Sequence, residues 1–198
     1  IDTAGLKKKG KIFESIDKYA ALRALSAIDR SDVCALVIDA DAGVREQDKH
    51  VAGYALEAGK GIVIVVNKWD LVKKDSHTMA AYEKKIREEF KFLGFAPIVF
   101  VSAVTKDKIE NLFSVINDAY EGYTTRISTS VLNEVLLEVV LRNPPVEFNG
   151  GILKISYAHQ VSSKPPVIVM FVNNPEYLHF SYQRFLEKSS NFYITVQF

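Results

Sequence analysis

Three short polar segments follow predicted strands or open the chain, and their residue types are those that bind ligands. N-K-W-D at residues 67–70 follows the apolar run 61–66, S-A at 102–103 closes another apolar run, and D-T-A-G at 2–5 opens the sequence. In an open parallel sheet, ligands bind just outside the carboxyl ends of the strands. These segments are therefore the first candidates for a binding site.

The order and spacing of the three segments resemble the motifs of P-loop GTPases. In that resemblance Asp70 accepts the N1–H and the exocyclic amine of guanine, a donor pair that adenine lacks. Asn67 ties its loop to neighbouring backbone, and the Lys68 stem covers one purine face while its ammonium stays solvated. The alternative without a ligand makes Asn67 a turn residue and Asp70 a helix cap.

The phosphate side of the predicted site rests on the first segment. Asp2 would hold Mg²⁺ through water, and the N–H of Gly5 can approach the γ-phosphate closely because glycine has no side chain. Backbone N–H groups near Ser102 and Ala103 would reach the guanine carbonyl. The predicted nucleotide-binding residues are Asp2, Thr3, Ala4, Gly5, Asn67, Lys68, Asp70, Ser102 and Ala103, with Asp2 also the metal ligand.

The elements that must position these residues follow from hydrophobic patterning. Apolar runs rich in β-branched residues predict strands at 33–39, 61–66 and 97–102, and the pattern is typical of strands buried on both faces. Amphipathic spacing predicts helices over 11–30, 45–58, 76–94 and 109–120. Strand–helix alternation indicates an α/β fold with a doubly wound parallel sheet.

The second half of the chain predicts a small α+β module. Residues 121–130 are polar and predict a linker, with Ser128 or Ser130 as the cap of the next helix. The elements expected after it are a helix at 131–142, a Gly150-Gly151 turn, strands at 152–161 and 167–172, a helix at 180–188 and a strand at 192–198. We therefore expect two domains, 1–120 and 121–198.

Longer segments resemble one family, EngA/Der, more closely. DTAGLKKKGK, YAALRALSAI, VIDADAG, NKWDLV and FAPIVFVSA resemble its second GTPase domain, whereas LKISYAHQV, KPPVIVMFVNNPE and HFSYQRFLE resemble its C-terminal KH-like domain. The resemblance implies a bacterial tandem GTPase that binds GTP or GDP with Mg²⁺ and helps to assemble the large ribosomal subunit. Its implied partners are ribosomal RNA and ribosomal proteins.

Two departures from the family pattern bear on activity. The P-loop, the switch I threonine, two strands and the first GTPase domain do not occur in this sequence, and we expect the intact protein to contain them. Without a P-loop we expect the chain alone to be inactive. The ending SSNFYITVQF at 189–198 also differs from the family's F-x-G-T-P-I.

Leu6 stands where Ras-like GTPases carry the glutamine that orients the attacking water. Leucine neither donates nor accepts a hydrogen bond, so backbone groups, another side chain or a cation must position the water. The EngA/Der resemblance implies a hydrophobic residue here and the use of K⁺. Alternatively, Leu6 packs within switch II.

The KH-like half has weaker signals for RNA. A typical KH domain clamps nucleic acid with a G-x-x-G loop, which this half lacks. Its aromatic residues are expected in the core: Tyr157, Phe171, Tyr177, Phe180, Tyr182 and Phe185. The candidate phosphate contacts are Lys154, Lys164, Arg184 and Lys188. The basic run Lys7, Lys8, Lys9 and Lys11 is either a solvated loop or a further contact.

Composition limits the remaining possibilities. With 25 basic and 24 acidic residues the net charge is +1, which gives no support to a strongly basic nucleic-acid binder. A single cysteine excludes a disulfide framework. We expect a cytoplasmic monomer with no membrane span. Competing hypotheses are a nucleotide-controlled binding module with incidental catalysis, an Era-like GTPase and a purely structural α/β protein.

Overall fold

The computed structural model describes residues 15–73, 75, 77–190 and 193–197, with side chains described from residue 23 except at 188, 190 and 193–197. The chain divides into two compact units between Tyr123 and Thr124. Within these described ranges, no helix has both the length and the apolar character needed to cross a lipid bilayer.

The described residues of the first unit form a three-stranded parallel sheet with helices between its strands. Its strands are β1 Val33–Asp39, β2 Gly61–Asn67 and β3 Ile98–Phe100, in the order β1-β2-β3. Its helices are α1 Ser15–Arg30, α2 Glu46–Glu57, α3 Thr78–Glu89 and α4 Ile109–Thr124, with short 3₁₀ turns at Trp69–Leu71 and Lys91–Leu93. The predicted α/β class with a parallel sheet is confirmed.

The central strand β2 divides the core of this unit into two layers. Ile62, Ile64 and Val66 pack with Ile86 and Phe90 on one face. Val63 and Val65 face the other layer, which contains Val99, Val101 and partly buried residues of α4. Alternate residues of a strand point to opposite faces, so an apolar run of five can be buried throughout only in a strand covered on both sides.

The same expectation is wrong for β1. Leu36 and Ile38 are buried, but Ala35 is exposed and Val37 is 57% exposed. Among the described residues, β1 pairs only with β2, and on its second face Val33 packs against the layer that contains α4 residues, whereas Ala35 and Val37 are exposed. Apolar composition alone therefore did not distinguish a central strand from one at the edge of this described sheet.

The predicted linker at 121–130 is also wrong in its first part. Helix α4 continues through Thr124, because Tyr123 extends the apolar stripe of the helix and is buried. The next helix begins at Thr129, and its N-cap is Ser128, whose Oγ accepts a hydrogen bond from Val131 N at 3.5 Å. Only residues 125–128 lie between the two helices.

The described residues of the second unit form two α-helices, a two-stranded hairpin and a three-stranded mixed sheet. Its helices are α5 Thr129–Arg142 and α6 Phe180–Ser190, and its strands are β4 Glu147–Phe148, β5 Gly151–Ile152, β6 Ile155–Ser163, β7 Pro166–Val172 and β8 Tyr193–Gln197. Strand β6 is antiparallel to β7, and β8 is parallel to β7. Its core includes Leu132, Leu153, Met170 and Leu186. This is the α+β module that the sequence predicts.

One predicted strand of this unit is interrupted. Residues 152–161 were expected to form a single strand, but β5 ends at Ile152 in a hairpin with β4, and β6 starts at Ile155. The hairpin turn is Asn149-Gly150, with φ values of +52° and +82°. Asn and Gly tolerate this left-handed region, which two-residue hairpin turns require.

Two buried or half-buried amide side chains fix the start of this unit to β6. Gln160 accepts a hydrogen bond from Ile127 N at 2.8 Å and donates to Thr125 O and Ser162 O, each at 3.1 Å. Asn133 of α5 accepts from Ala158 N at 2.8 Å and donates to Ala158 O at 2.7 Å. Asn133 thus makes with Ala158 the two hydrogen bonds that a neighbouring strand would otherwise make.

Candidate functional site

The polar residues after the strands of the first unit meet at one edge of the sheet. Asn67 ends β2 and is the register partner of Asp39, which ends β1. Trp69 N donates to Val101 O at 3.1 Å, which joins the segment after β2 to the segment after β3. Because all three strands are parallel, their carboxyl ends share this edge, where ligands bind in such sheets.

Asn67 connects the N-K-W-D loop to the S-A loop. Its Oδ1 accepts hydrogen bonds from Lys68 N at 2.8 Å and from Ala103 N at 3.1 Å. Asn67 and Ala103 are 36 positions apart in sequence. This side-chain oxygen, together with the Trp69 N–Val101 O hydrogen bond, holds the two loops in contact.

Ser102 stabilises the S-A loop through hydrogen bonds from a buried position. The side chain is buried, and its Oγ accepts a hydrogen bond from Thr105 N at 3.1 Å. Its own N–H donates to Asp107 O at 3.2 Å, and the N–H of Ala103 donates to Asn67. Both N–H groups expected to contact the guanine carbonyl therefore donate to protein oxygens in this structure.

Lys68 has a protein partner in addition to the solvent that was expected around its ammonium. Its Nζ lies 2.7 Å from Asp39 Oδ2, with the Lys68 side chain 51% exposed and that of Asp39 29% exposed. The hydrogen bond between the two groups raises the pKa of Lys68 and lowers the pKa of Asp39, because it favours the charged form of each.

An aromatic cluster supports the N-K-W-D loop from below. Trp69 is buried, with its ring 4.5 Å from the Phe100 ring and edge-on to Tyr82 at 5.4 Å, measured between centroids. The Tyr82 hydroxyl donates to Ala40 O at 2.7 Å, and burial raises the pKa of Tyr82. This packing ties the loop after β1 to the loop after β2.

Asp70 lies exposed in the 3₁₀ turn above this cluster. No group among the described residues donates a hydrogen bond to its carboxylate. Both of its oxygens are therefore accessible to donors of a ligand, as a bidentate contact requires.

The other predicted residues of the first unit lie outside the described residues. These are Asp2, Thr3, Ala4, Gly5, Leu6, Lys7, Lys8, Lys9 and Lys11. Within the part of the chain that the structure describes, no group of three or more His, Cys, Asp or Glu residues could hold a metal ion. The predicted Mg²⁺ ligand, Asp2, belongs to the residues outside that part.

The basic candidates of the second unit are distributed over different elements. Lys154 directly precedes β6, Lys164 lies in the turn after it, and both are exposed. Arg184 is exposed on α6, with its guanidinium carbon 5.6 Å from the Phe180 ring centre. Lys188 lies on α6 with its side chain outside the described part. The four residues therefore belong to three different segments of the unit.

The prediction that the aromatic residues of this unit lie in the core is wrong for two of them. Tyr157 is exposed and Phe180 is 63% exposed, whereas the other four are half-buried. Tyr157 forms a ring cluster with His159 and Phe171, in which the last two stack at 5.8 Å. Periodicity did not reveal this cluster, because its rings come from two strands.

Asp39 is a residue at the candidate site that the sequence-based reasoning missed. It is the first polar residue at the carboxyl end of the run VCALVID. The rule that selected Asn67, a polar residue just after a buried run, would also have selected Asp39.

Two known domain families match this chain. Residues 20–122 match the elongation factor Tu GTP binding domain. Residues 126–193 match the KH-domain-like family of EngA bacterial GTPase enzymes, described as C-terminal. The two matches together cover most of both units.

Individual relatives agree with this assignment. The chain is 56% identical over 187 residues to GTPase Der from Ligilactobacillus salivarius (strain UCC118) and to GTPase Der from Bacillus cereus (strain ATCC 10987 / NRS 248). Each match covers 94% of this chain and 43% of the relative. The chain therefore spans less than half the length of these relatives.

Two solved structures of Era are similar in fold. An Era variant from Aquifex aeolicus bound to GDP and AlF4⁻ has a TM-score of 0.52 at 16% identity, and Era in complex with MgGDPNP and a segment of 16S ribosomal RNA has 0.53 at 17%. Each comparison covers 99% of this chain and 73% of the other. At such identity the likeness shows the fold alone. The sequence matches across both units are the decisive finding, and the chain belongs to the EngA/Der family of bacterial GTPases, with part of a GTP-binding domain followed by the KH-like domain.

Proposed function

We propose that the intact protein binds GTP and GDP with Mg²⁺ and hydrolyses GTP. The observation that carries this proposal is the Asn67 side chain, which holds the N-K-W-D loop against the S-A loop. The two loops that contact guanine in the GTPase resemblance are thereby joined at the carboxyl edge of the sheet.

The base-binding chemistry follows from three residues. Asp70 accepts the two guanine donors, and discrimination against adenine comes from the loss of that donor pair. The Lys68 stem covers one purine face. To bind the guanine carbonyl, the N–H of Ala103 either donates to the carbonyl and to Asn67 Oδ1 at once or gives up its 3.1 Å hydrogen bond to Asn67 Oδ1.

The residues that contact the phosphates and the metal ion are assigned from the family resemblance. We assign Asp2 to Mg²⁺ and Gly5 to the γ-phosphate, with Thr3 and Ala4 between them. Leu6 cannot orient water, so we propose slow intrinsic turnover that K⁺ stimulates. Equal rates in Na⁺ and K⁺ buffers for the full-length protein would contradict the role of K⁺.

We further propose that the protein acts in the bacterial cytoplasm on the large ribosomal subunit. The family assignment supports a ribosome-assembly factor, and the KH-like unit supplies the candidate RNA contacts Lys154, Lys164, Arg184 and Lys188. The second candidate function is a nucleotide-controlled binding module in which hydrolysis is incidental. Exposed basic residues on separate elements of the KH-like unit are the observation that favours it.

The guanine site is tested by changing its hydrogen-bond pattern. In the full-length protein, Asp70→Asn should weaken GDP binding about a hundredfold and allow xanthosine diphosphate to bind, because xanthine has an acceptor where guanine has an amine. Binding of both mant-labelled nucleotides is measured by the energy transfer that depends on Trp69, because the intact protein is expected to have a second nucleotide site in its first GTPase domain. The matched control Asp118→Asn, on the exposed side of α4, should bind GDP normally.

Unchanged GDP affinity in Asp70→Asn would overturn the assignment of the base pocket. The two functions are separated by comparing turnover with affinity for ribosomal particles in the GTP and GDP states. The binding-module function is supported if the affinity for ribosomal particles still differs between the GTP and GDP states when turnover is abolished.

A further inference from the structure

Asp39 occupies a position at the candidate site to which no role has been assigned. It ends β1, opposite Asn67 in the parallel register, and Ala40 N donates to Asn67 O at 2.9 Å. The carboxylate therefore stands at the same edge of the sheet as the proposed guanine-binding loop.

The Asp39 carboxylate is held in place by its own loop. Its Oδ1 accepts hydrogen bonds from Asp41 N at 2.9 Å and Ala42 N at 3.4 Å. Its Oδ2 accepts a hydrogen bond from Lys68 Nζ at 2.7 Å. One oxygen thus orients the carboxylate, and the other binds the lysine.

Lys68 is fixed at both ends of its side chain. At its backbone, φ is +61°, and the N–H donates to Asn67 Oδ1 at 2.8 Å. At its tip, Asp39 holds the ammonium. A lysine side chain otherwise samples many rotamers, and a ligand that requires one of them must offset the lost entropy on binding.

We propose that Asp39 is a positioning residue for the guanine nucleotide, which holds the Lys68 ammonium so that the lysine stem is already placed to cover the purine ring. This inference rests on the proposed guanine site and deepens it. Asp39 does not touch the nucleotide, and its effect on binding passes through Lys68.

The test is a double-mutant cycle in the full-length protein. Asp39→Asn keeps an oxygen for the N–H groups of Asp41 and Ala42 but removes the ion pair. We expect about threefold to tenfold faster dissociation of mant-GDP, the range that corresponds to ordering one long side chain. The signal is energy transfer to the mant group from Trp69, the one tryptophan of this chain, next to Lys68.

The second half of the cycle repeats the change where the ammonium is absent. In a Lys68→Met background, Asp39→Asn should leave the dissociation rate unchanged within about 1.5-fold, because the ammonium through which Asp39 acts is already absent. The difference between the two backgrounds measures the coupling of the two residues. Asp41→Asn is the matched control, because it removes the same charge two residues from Asp39. The Asp41 side chain is exposed and forms no ion pair among the described residues. It should leave mant-GDP dissociation unchanged.

Each outcome decides between two statements. An equal effect of Asp39→Asn in both backgrounds would show a merely structural role for Asp39 and overturn the inference, as would no effect in either. An effect that Asp41→Asn reproduces would show long-range charge and overturn it too. Failure of the proposed function is distinguishable, since the wild-type protein then gives no mant-GDP signal that depends on Trp69, and Asp70→Asn changes nothing.

Discussion

The three-stranded sheets of the two units place their polar residues in opposite ways. In the first unit, parallel strands bring Asp39, Asn67 and Ser102 to one edge from positions far apart in sequence. In the second unit, Lys154 and Lys164 flank the same strand, β6, at its two ends. At about 3.3 Å per residue, these lysines are separated by roughly 30 Å of strand.

This difference separates two kinds of recognition. A parallel sheet collects side chains from several strands around one small ligand. The antiparallel pair β6–β7 instead distributes its flanking residues over the length of a strand, which suits contacts along an extended partner. The nucleotide proposal therefore depends on few residues, each with a large effect, whereas the RNA proposal depends on many residues with small effects.

The largest expected effect concerns the residue that joins the two loops. Asn67→Ala removes the acceptor for Lys68 N and Ala103 N, and two lost hydrogen bonds should weaken GDP binding about a hundredfold. Nucleotide titration of the full-length protein measures this. Asn67→Asp keeps an acceptor oxygen and should lose far less affinity, and equal losses would contradict the role of Oδ1.

The second prediction tests whether side-chain hydrogen bonds contribute as strongly to the stability of the second unit. Gln160→Ala removes three hydrogen bonds from a buried position and should destabilise the second unit by about 2–3 kcal/mol. Hydrogen exchange should increase in residues 125–128 and β6. Ser156→Ala, exposed on the same strand, is the control and should leave exchange unchanged.

A smaller effect is expected inside the S-A loop. Ser102→Ala removes the buried hydroxyl that accepts a hydrogen bond from Thr105 N and should cost about 1 kcal/mol of local stability. Faster exchange at the 102–107 turn would report this loss. If Ser114→Ala, exposed on α4, produced the same change, the effect would not come from the buried hydroxyl.

The smallest effect is a pH dependence at the Lys68–Asp39 pair. The hydrogen bond to Lys68 and those to its own loop lower the Asp39 pKa from its usual 3.8, so the pair stabilises the fold above about pH 4 and is lost as pH falls through the lowered pKa. Carboxyl NMR titration should show the Asp39 pKa returning towards 3.8 in Lys68→Met. An unchanged pKa in that variant would mean that Lys68 is not the main cause.

Prediction from sequence succeeded where one strong local pattern coincides with one structure. Ile62–Val66 is apolar at every position and is buried at every position. The linker prediction failed because residues 121–124 are polar enough to resemble a loop, whereas Tyr123 continues the buried stripe of α4. Element boundaries depend on packing partners that a local window does not contain.

Within the candidate site, the same contrast holds. The types and spacing of Asn67, Lys68 and Asp70 predict a nucleotide-binding loop, since ligands bind at the carboxyl ends of parallel strands, and this stays a prediction. The ion pair to Asp39 was not predictable, since its two residues are 29 positions apart in sequence. Their contact depends on the register between β1 and β2.

By itself, the sequence determined the parallel α/β unit, the smaller α+β unit after it and the loop that carries Asn67 and Asp70. Apolar runs that alternate with segments of helical periodicity are sufficient to predict these elements, because the pattern determines which residues are buried. Only the tertiary structure decided that the backbone held by Asn67 is that of Ala103, that Ser102 and Ala103 donate to protein oxygens and that Asp39 holds Lys68. Such contacts depend on strand register and side-chain direction, which are properties of the assembled sheet.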